Sequence, residues 1–443
     1  MRAKQSSGSS LLRGGRILPM ILGLLSVGSL SVAGAQAPRV NRERVLARLD
    51  ALALVGRTPE GGVSRVAFSE ADIAGREHIL KLMKTAGLAV RIDPAGNLIG
   101  RREGSVGGLG PIVLGSHADT VPNGGKYDGA LGVVAALECA DVLRETGLAT
   151  RHPLEVVIFA DEEGGLIGSR AMAGALDEKD LAAATQSGKS VREGIAAAGG
   201  DPARLGAAAR RPGEIAAYLE VHIEQGGVLV SRSIPVGVVE GIVGIARWDV
   251  TVEGFANHAG TTPMDARRDA LLAAARFILA VNRIVTAEPG RQVGTVGRLR
   301  VEPGAVNVVP GQAELSLELR DLSLDKVRGL FAGIKSESET IARETGTSFV
   351  FVALEETPPA LTDRRLRRLI RDSSQELGLA ALDLPSGAGH DAQAIARIAP
   401  IGMIFIPSVG GISHSPREFS KAEEVVNGVE VLLRTLLKAD QIF

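Results

Sequence analysis

The 443-residue chain holds one cysteine, one tryptophan and two tyrosines, and aromatic residues make up 3% of it. A single thiol, Cys139, excludes an intramolecular disulfide, an iron–sulfur cluster and a structural thiolate metal site. It lies in an Ala/Leu-rich helical run and reads as core. So few aromatic rings leave no platform for stacking bases and no aromatic groove for carbohydrate. Net charge is missing too: 50 Lys and Arg against 51 Asp and Glu leave −1. That provides no electrostatic footprint for nucleic acid, so specificity has to come from local pockets.

What is present is globular material, 45% hydrophobic and rich in glycine at 55 residues, enough for two or three domains. The N-terminus carries Arg2, Lys4, Arg13 and Arg16, then the apolar run Ile17–Leu25, then small residues ending at Ala33–Ala37. This order is that of a secretory signal over residues 1–37, cleaved after Ala35 or Ala37. It implies export to the periplasm or medium and a mature chain free of the membrane. The rival is an uncleaved anchor, since the run is nearly long enough to span.

Apolar runs at Ile112–Leu114 and Leu154–Ala160, separated by the helical pattern Ala130–Glu145, alternate as βαβ units do. A further strand is expected at 217–226 and another at Ile401–Ile406, with a short hairpin near Val90 and Asn97. From about Ile245 the style changes. Alternating strands at Arg247–Glu253, Thr295–Leu299, Glu314–Leu319 and Ser348–Val352 bracket helices predicted at Asp265–Val285 and Asp325–Glu344. The expected fold is α/β: a catalytic domain with a mostly parallel mixed sheet flanked by helices, over 38–245 and 358–443. A smaller α+β domain at 246–357 interrupts it.

The stretch Gly115–Gly129 puts His117, Asp119 and Asp128 into a turn after a buried strand. Residues two apart at a strand end share a face, so His117 and Asp119 point the same way, as a metal ligand and its orienting carboxylate do. Asp161-Glu162-Glu163-Gly164 ends the next strand. Adjacent glutamates suit two-metal hydrolysis, in which one binds metal and the other stays free as base. By alternation His222 shares a face with Glu224 and Gly226, leaving Gln225 toward a neighbouring pocket. Of seven histidines, five (His117, His222, His258, His390 and His414) sit in glycine-rich or strand-end segments. Imidazole and carboxylate without thiolate fits Zn, Mn, Co or Ni.

These motifs, with Glu220–Gly226, Asn257–Met264, Asn307–Gly311, Ser386–Asp391 and Gly411–Glu418, resemble the amidase/carbamoylase branch of the M20 metallopeptidase superfamily from about Val40 to the C-terminus. That branch includes N-carbamoyl-L-amino acid hydrolases, allantoate amidohydrolases and β-ureidopropionases. The resemblance implies two divalent metal ions held by His117, Asp128, Glu163, His222 and His414, with Asp128 bridging. It implies Glu162 as general base and Asp119 behind His117. His258, on the inserted domain, would reach the partner subunit's site and steady the oxyanion, which makes the inserted domain a lid and the protein a homodimer. Gln225, Asn307, Arg320 and Gly389 match substrate-holding positions, Arg320 taking the substrate's free carboxylate, and His390 lies beside them. The sequence departs in one place. Relatives often carry Arg-Phe shortly after Glu-Glu-Gly, whereas here Glu163-Gly-Gly-Leu-Ile-Gly-Ser169 is shorter and lacks it.

The activity so implied is hydrolysis of a linear non-peptide C–N bond, foremost the ureido group of an N-carbamoyl-L-amino acid, or a related substrate such as allantoate. An exported exopeptidase or aminoacylase is the rival within enzymes. A silent binding protein is the rival outside them.

Overall fold

The computed structural model describes residues 37–443; the signal sequence expected at 1–37 lies outside the described residues but for Ala37. Among the described residues no helix is long and apolar enough to cross a membrane.

The larger sheet has nine strands. At its centre Leu154–Phe159, Ile112–His117, Ala217–Ile223 and Ile401–Ile406 run parallel in that spatial order. Every residue of these four strands is buried, which is why they read as continuous apolar runs rather than alternating ones. The hairpin Ala89–Ile92 and Leu98–Arg102 closes one edge antiparallel to Leu154–Phe159. Val236–Ile242 continues the other side, antiparallel to Ile401–Ile406 and parallel to Ala381–Ser386.

Helix Ala130–Glu145, starting after Gly129 at φ 64°, is buried from Ala130 to Leu143. It is apolar nearly all round, as a helix packed on both sides must be. Its two buried acids are paired from the N-terminal helix Arg42–Leu54: Arg44 Nε lies 2.6 Å from Glu138, and Arg48 Nη2 lies 2.6 Å from Asp141. Cys139 is buried in this helix, the core position expected of it. The C-terminal helix Ala422–Ile442 packs into the same core.

A second sheet of five strands is built from Gly244–Glu253, Gln312–Asp321, Ser348–Thr357, Val293–Thr295 and Leu299–Glu302. Its strands Gly244–Glu253 and Gln312–Asp321 alternate strictly, with Ala246, Trp248, Val250 and Val252 buried against the helices Ala270–Thr286 and Leu324–Thr345. These elements span the stretch expected as an α+β insertion. The first helix begins at Ala270 rather than Asp265, because Met264–Ala266 forms a 3₁₀ turn and Asp269 caps the helix by accepting from Leu272 N–H. The strand expected at Thr295–Leu299 is two short ones that share Gln312–Asp321 as partner. Strands Val236–Ile242 and Ala381–Ser386 and the C-terminal helix were not anticipated from the sequence.

Candidate metal centre

Three neighbouring parallel strands deliver the site at their carboxyl ends, where open α/β sheets gather ligands. His117 is the last residue of its strand and His222 the last but one of its own. After Leu154–Phe159 the chain turns through Asp161 at φ 53° into a single helical turn, Glu162–Gly165. Asp128 comes back over this edge from the loop before helix Ala130–Glu145. His414, at φ 53°, arrives from the loop after Ile401–Ile406.

Asp128 stands between two groups of ligand-type atoms. Its Oδ1 lies 3.5 Å from His117 Nε2 and 3.2 Å from His222 Nε2. Its Oδ2 lies 3.4 Å from His414 Nε2, which is also 3.6 Å from Glu163 Oε2. The far nitrogens of the two buried rings are occupied: His117 Nδ1 lies 3.0 Å from the Asp119 carbonyl and His222 Nδ1 2.9 Å from the Ile223 carbonyl. With Nδ1–H donating to a carbonyl, each ring presents its Nε2 toward Asp128, the tautomer a metal ligand needs; the Nε2 of His222 also accepts the Gly129 N–H at 3.2 Å.

The electrostatics ask for a cation. Burial works against a charged His117, yet the carboxylates of Glu162, Asp128 and Asp119 outweigh it and raise its pKa well above the usual imidazole range. His222 is raised the same way by Asp128 and Glu220 against burial. His414 is raised to about 9, chiefly by its hydrogen bond to Asp128. Burial and the neighbouring Asp128 lift Glu163 to about 7. Burial drives Glu162 well above the usual carboxyl range against the pull of His117. Among the described residues, Asp128, Glu162 and Glu163 pair with no lysine or arginine, only with histidines.

The groups His117–Asp128–His222 and Asp128–Glu163–His414 each bring their ligand atoms within 4.8 Å of one another. Glu163 Oε1 is buried without a partner. Excess buried carboxylate, inward lone pairs and an orphaned oxygen fit divalent metal.

The other expected residues divide. Asp119 holds His117 through its backbone carbonyl; its carboxylate, 3.7 Å from that ring, accepts instead from Glu162 N–H at 3.4 Å and Glu163 N–H at 3.1 Å. It thus caps the turn that carries both glutamates. Gln225 does not follow the alternation, since the strand stops at Ile223 and Gln225 sits at φ 56°. Its Nε2 donates to Asp128 Oδ2 at 2.8 Å, in the metal centre itself, while Glu224 accepts from the N–H groups of Val228 and Leu229.

Gly389 and His390 line the same cavity of about 310 Å³. His390 Nε2 donates to Ser386 Oγ at 2.8 Å, because the Ser386 proton goes to the Ala388 carbonyl. Burial keeps this ring well below the usual imidazole pKa. Arg320 is outside the lining. It donates to Glu318 at 2.7 Å and to the Gly387 carbonyl at 2.6 Å. His258 and Asn307 are exposed on the second-sheet side, joined by the bridge of His258 to Val308. Within one chain neither lines the cavity.

Sequence reasoning missed Glu418 and Ser413, which contact Asp128 from 290 and 285 residues away. The run after His414 held the only signal: an acid in a segment already singled out for its histidine.

This arrangement has known counterparts. The sequence matches peptidase family M20/M25/M40 over residues 113–438. The chain belongs to this family. An N-carbamoyl-L-amino acid amidohydrolase of Geobacillus stearothermophilus is 43% identical to this M20 chain over 407 residues, covering 91% of the chain and 99% of the relative. Allantoate amidohydrolase of Bacillus subtilis is 35% identical over 393 residues, covering 87% and 95%. Among solved structures, an amidase of the hydantoinase/carbamoylase family from Burkholderia multivorans matches with a TM-score of 0.84 and 35% identity over 91% of this chain and 98% of its own. These relatives are hydrolases of non-peptide C–N bonds, and this M20 chain is a hydrolase with clustered residues that could hold divalent metal.

Proposed function

We propose that the protein hydrolyses the ureido C–N bond of N-carbamoyl-L-amino acids, with two divalent ions at the centre described above. The observation that carries the mechanism is the position of Glu162: its Oε2 lies 3.6 Å from His117 Nε2, in the lining of the same cavity, with no lysine or arginine partner among the described residues. His117, His222 and Asp128 would hold one ion and Asp128, Glu163 and His414 the other. Bound metal of this kind polarises a carbonyl oxygen and makes water more acidic.

Glu162 takes the proton from the attacking water and returns it to the amino acid's nitrogen as the C–N bond breaks. The carbamic acid released falls apart to ammonia and carbon dioxide, so one water is consumed. Asp119 orients Glu162 through the two backbone N–H groups it accepts. Arg320 receives the substrate carboxylate from its place beside Gly387, and Gln225, Gly389 and His390 hold the ureido end.

The same reading makes the second-sheet module, 246–357, a lid and dimerisation domain. The exposed His258 and Asn307 support it, with Phe255, Met264 and Val306 exposed near them, since residues useless to their own cavity are then available to a partner's. Export through the N-terminal signal completes the proposal.

The test is product analysis of the Mn- or Zn-supplemented protein on N-carbamoyl-L-amino acids, allantoate, N-acyl amino acids and dipeptides. Ammonia released from ureido substrates alone is expected. Glu162→Gln should lower kcat by about 10²–10⁴ while the protein still binds metal. Full turnover by that variant, or cleavage of dipeptides instead, would overturn the reading. Light scattering that returned a monomer would remove the shared-site part of it.

A further inference from the structure

The turn that carries Glu162 and Glu163 is bracketed by two residues in the left-handed region, Asp161 at φ 53° and Leu166 at φ 57°. Aspartate visits that region readily. Leucine does not, because its Cβ crowds the carbonyl oxygen, and glycine is the relaxed choice. The chain places glycine at the two preceding positions, Gly164 and Gly165, but keeps a leucine at the strained one. Strained residues of this kind persist where the side chain is needed at a site.

Leu166 lines the cavity of about 310 Å³ that holds the metal centre. The polar wall of this cavity is committed to metal and ureido chemistry. What is left is Gly164, Gly165, Leu166 and Ala388. Among the described residues Leu166 is therefore the one large apolar side chain in the lining, and no lysine or arginine lines it. With the ureido carbon at the ligands, the substituent on the substrate's α-carbon has this remaining wall to lie against. Only Leu166 offers it appreciable area.

We propose that Leu166 determines specificity: its side chain packs on the α-substituent and selects N-carbamoyl amino acids with aliphatic side chains over ureido substrates with polar substituents. This rests on the functional reading above and narrows its substrate class.

The test measures kcat/KM of the metal-reconstituted full chain for N-carbamoyl-L-leucine, N-carbamoylglycine and allantoate, in the wild type and in Leu166→Gly and Leu166→Asn. Glycine relieves the backbone and removes the wall. Asparagine tolerates the left-handed region at similar size but makes the wall polar. Removing a pocket's apolar contact costs about 10–200-fold in discrimination, so N-carbamoyl-L-leucine should lose at least about tenfold against N-carbamoylglycine in both variants. The melting temperature of Leu166→Gly should not fall, and Leu166→Asn should gain in relative rate on allantoate. An unchanged leucine-to-glycine ratio, or a parallel loss on both substrates in Leu166→Asn, would overturn the proposal. A wild type that releases ammonia from none of the three would instead overturn the functional reading, an outcome visible before any variant is made.

Discussion

Glu418 and Asp128 meet at the backbone of the metal centre: Glu418 Oε1 accepts the Asp128 N–H at 3.1 Å and the Tyr127 N–H at 2.9 Å. The Ser413 hydroxyl lies 2.8 Å from Asp128 Oδ2 and 2.9 Å from Glu418 Oε2. Two loops far apart in sequence, one bearing Asp128 and the other His414, are thereby tied to one carboxylate. The fit is close, since a Cβ on Gly125 would stand 2.0 Å from Glu418 Oε1.

Glu418→Ala leaves two buried N–H groups unpaired, at about 1–3 kcal/mol each, and frees the loop that aims His414. Supporting residues of this kind are worth about 10–100-fold in metal affinity. Equilibrium dialysis against Mn or Zn should show that loss. Unchanged affinity would mean that Ser413 and the loop hold His414 without help.

Gly129 has φ 64°, and a Cβ there would come within 2.4 Å of His117 Cε1. Gly129→Ala should push the ring away from Asp128. A ligand that binds the folded state raises its stability by about 2.7 kcal/mol at one hundred times its Kd, so the wild type should melt higher with added metal and lower after chelation. Differential scanning calorimetry should find that increment largely gone in the variant; an equal increment in both would show that the ring adapts.

Asp72, on helix Glu70–Thr85, is buried and accepts from the Phe68 N–H at 2.8 Å. Burial raises its carboxyl from 3.8 to about 6, against the pull of Arg76 and Arg65. A raised folded-state pKa contributes stability that is complete below the unfolded value and is lost as pH rises through about 6. A rise of this size corresponds to about 3 kcal/mol. Urea unfolding of wild type and Asp72→Asn should therefore diverge between about pH 4 and pH 6, the wild type losing ground, and run parallel above. A constant gap across that window would exclude Asp72 as the titrating group.

Arg320→Lys keeps the charge and loses the planar fork that a carboxylate engages in two places. KM for N-carbamoyl amino acids should rise by about tenfold or more, the cost of one charge-assisted hydrogen bond, with kcat changed much less. A fall in kcat at constant KM would assign Arg320 to holding the 386–390 loop through Gly387 instead.

Much of this was written locally. The buried strands Ile112–His117 and Leu154–Phe159 announce themselves as unbroken β-branched runs, and the strands of the second sheet by strict alternation, because burial on two faces or on one leaves that mark in any chain. Ligand chemistry was legible for the same reason: His117, Asp128, Glu162, Glu163, His222 and His414 all stand at strand ends or in glycine-bearing turns.

Backbone sign and distant contact decided the rest. Gln225 enters the metal centre because φ 56° breaks the alternation that would have turned it away. Asp119 holds the glutamate turn by its carboxylate and His117 by its carbonyl, a division that residue type does not encode. Strand Val236–Ile242 carries glycine at 237 and 241 and a glutamate at 240, and its partner Ala381–Ser386 lies far along the chain, so neither stands out alone. Which atoms a metal could use, and the order in which they occur, is written in the residues alone. That Glu418 supports Asp128 and Leu166 walls the cavity emerges on folding, because both depend on contacts or dihedral angles that no local periodicity records.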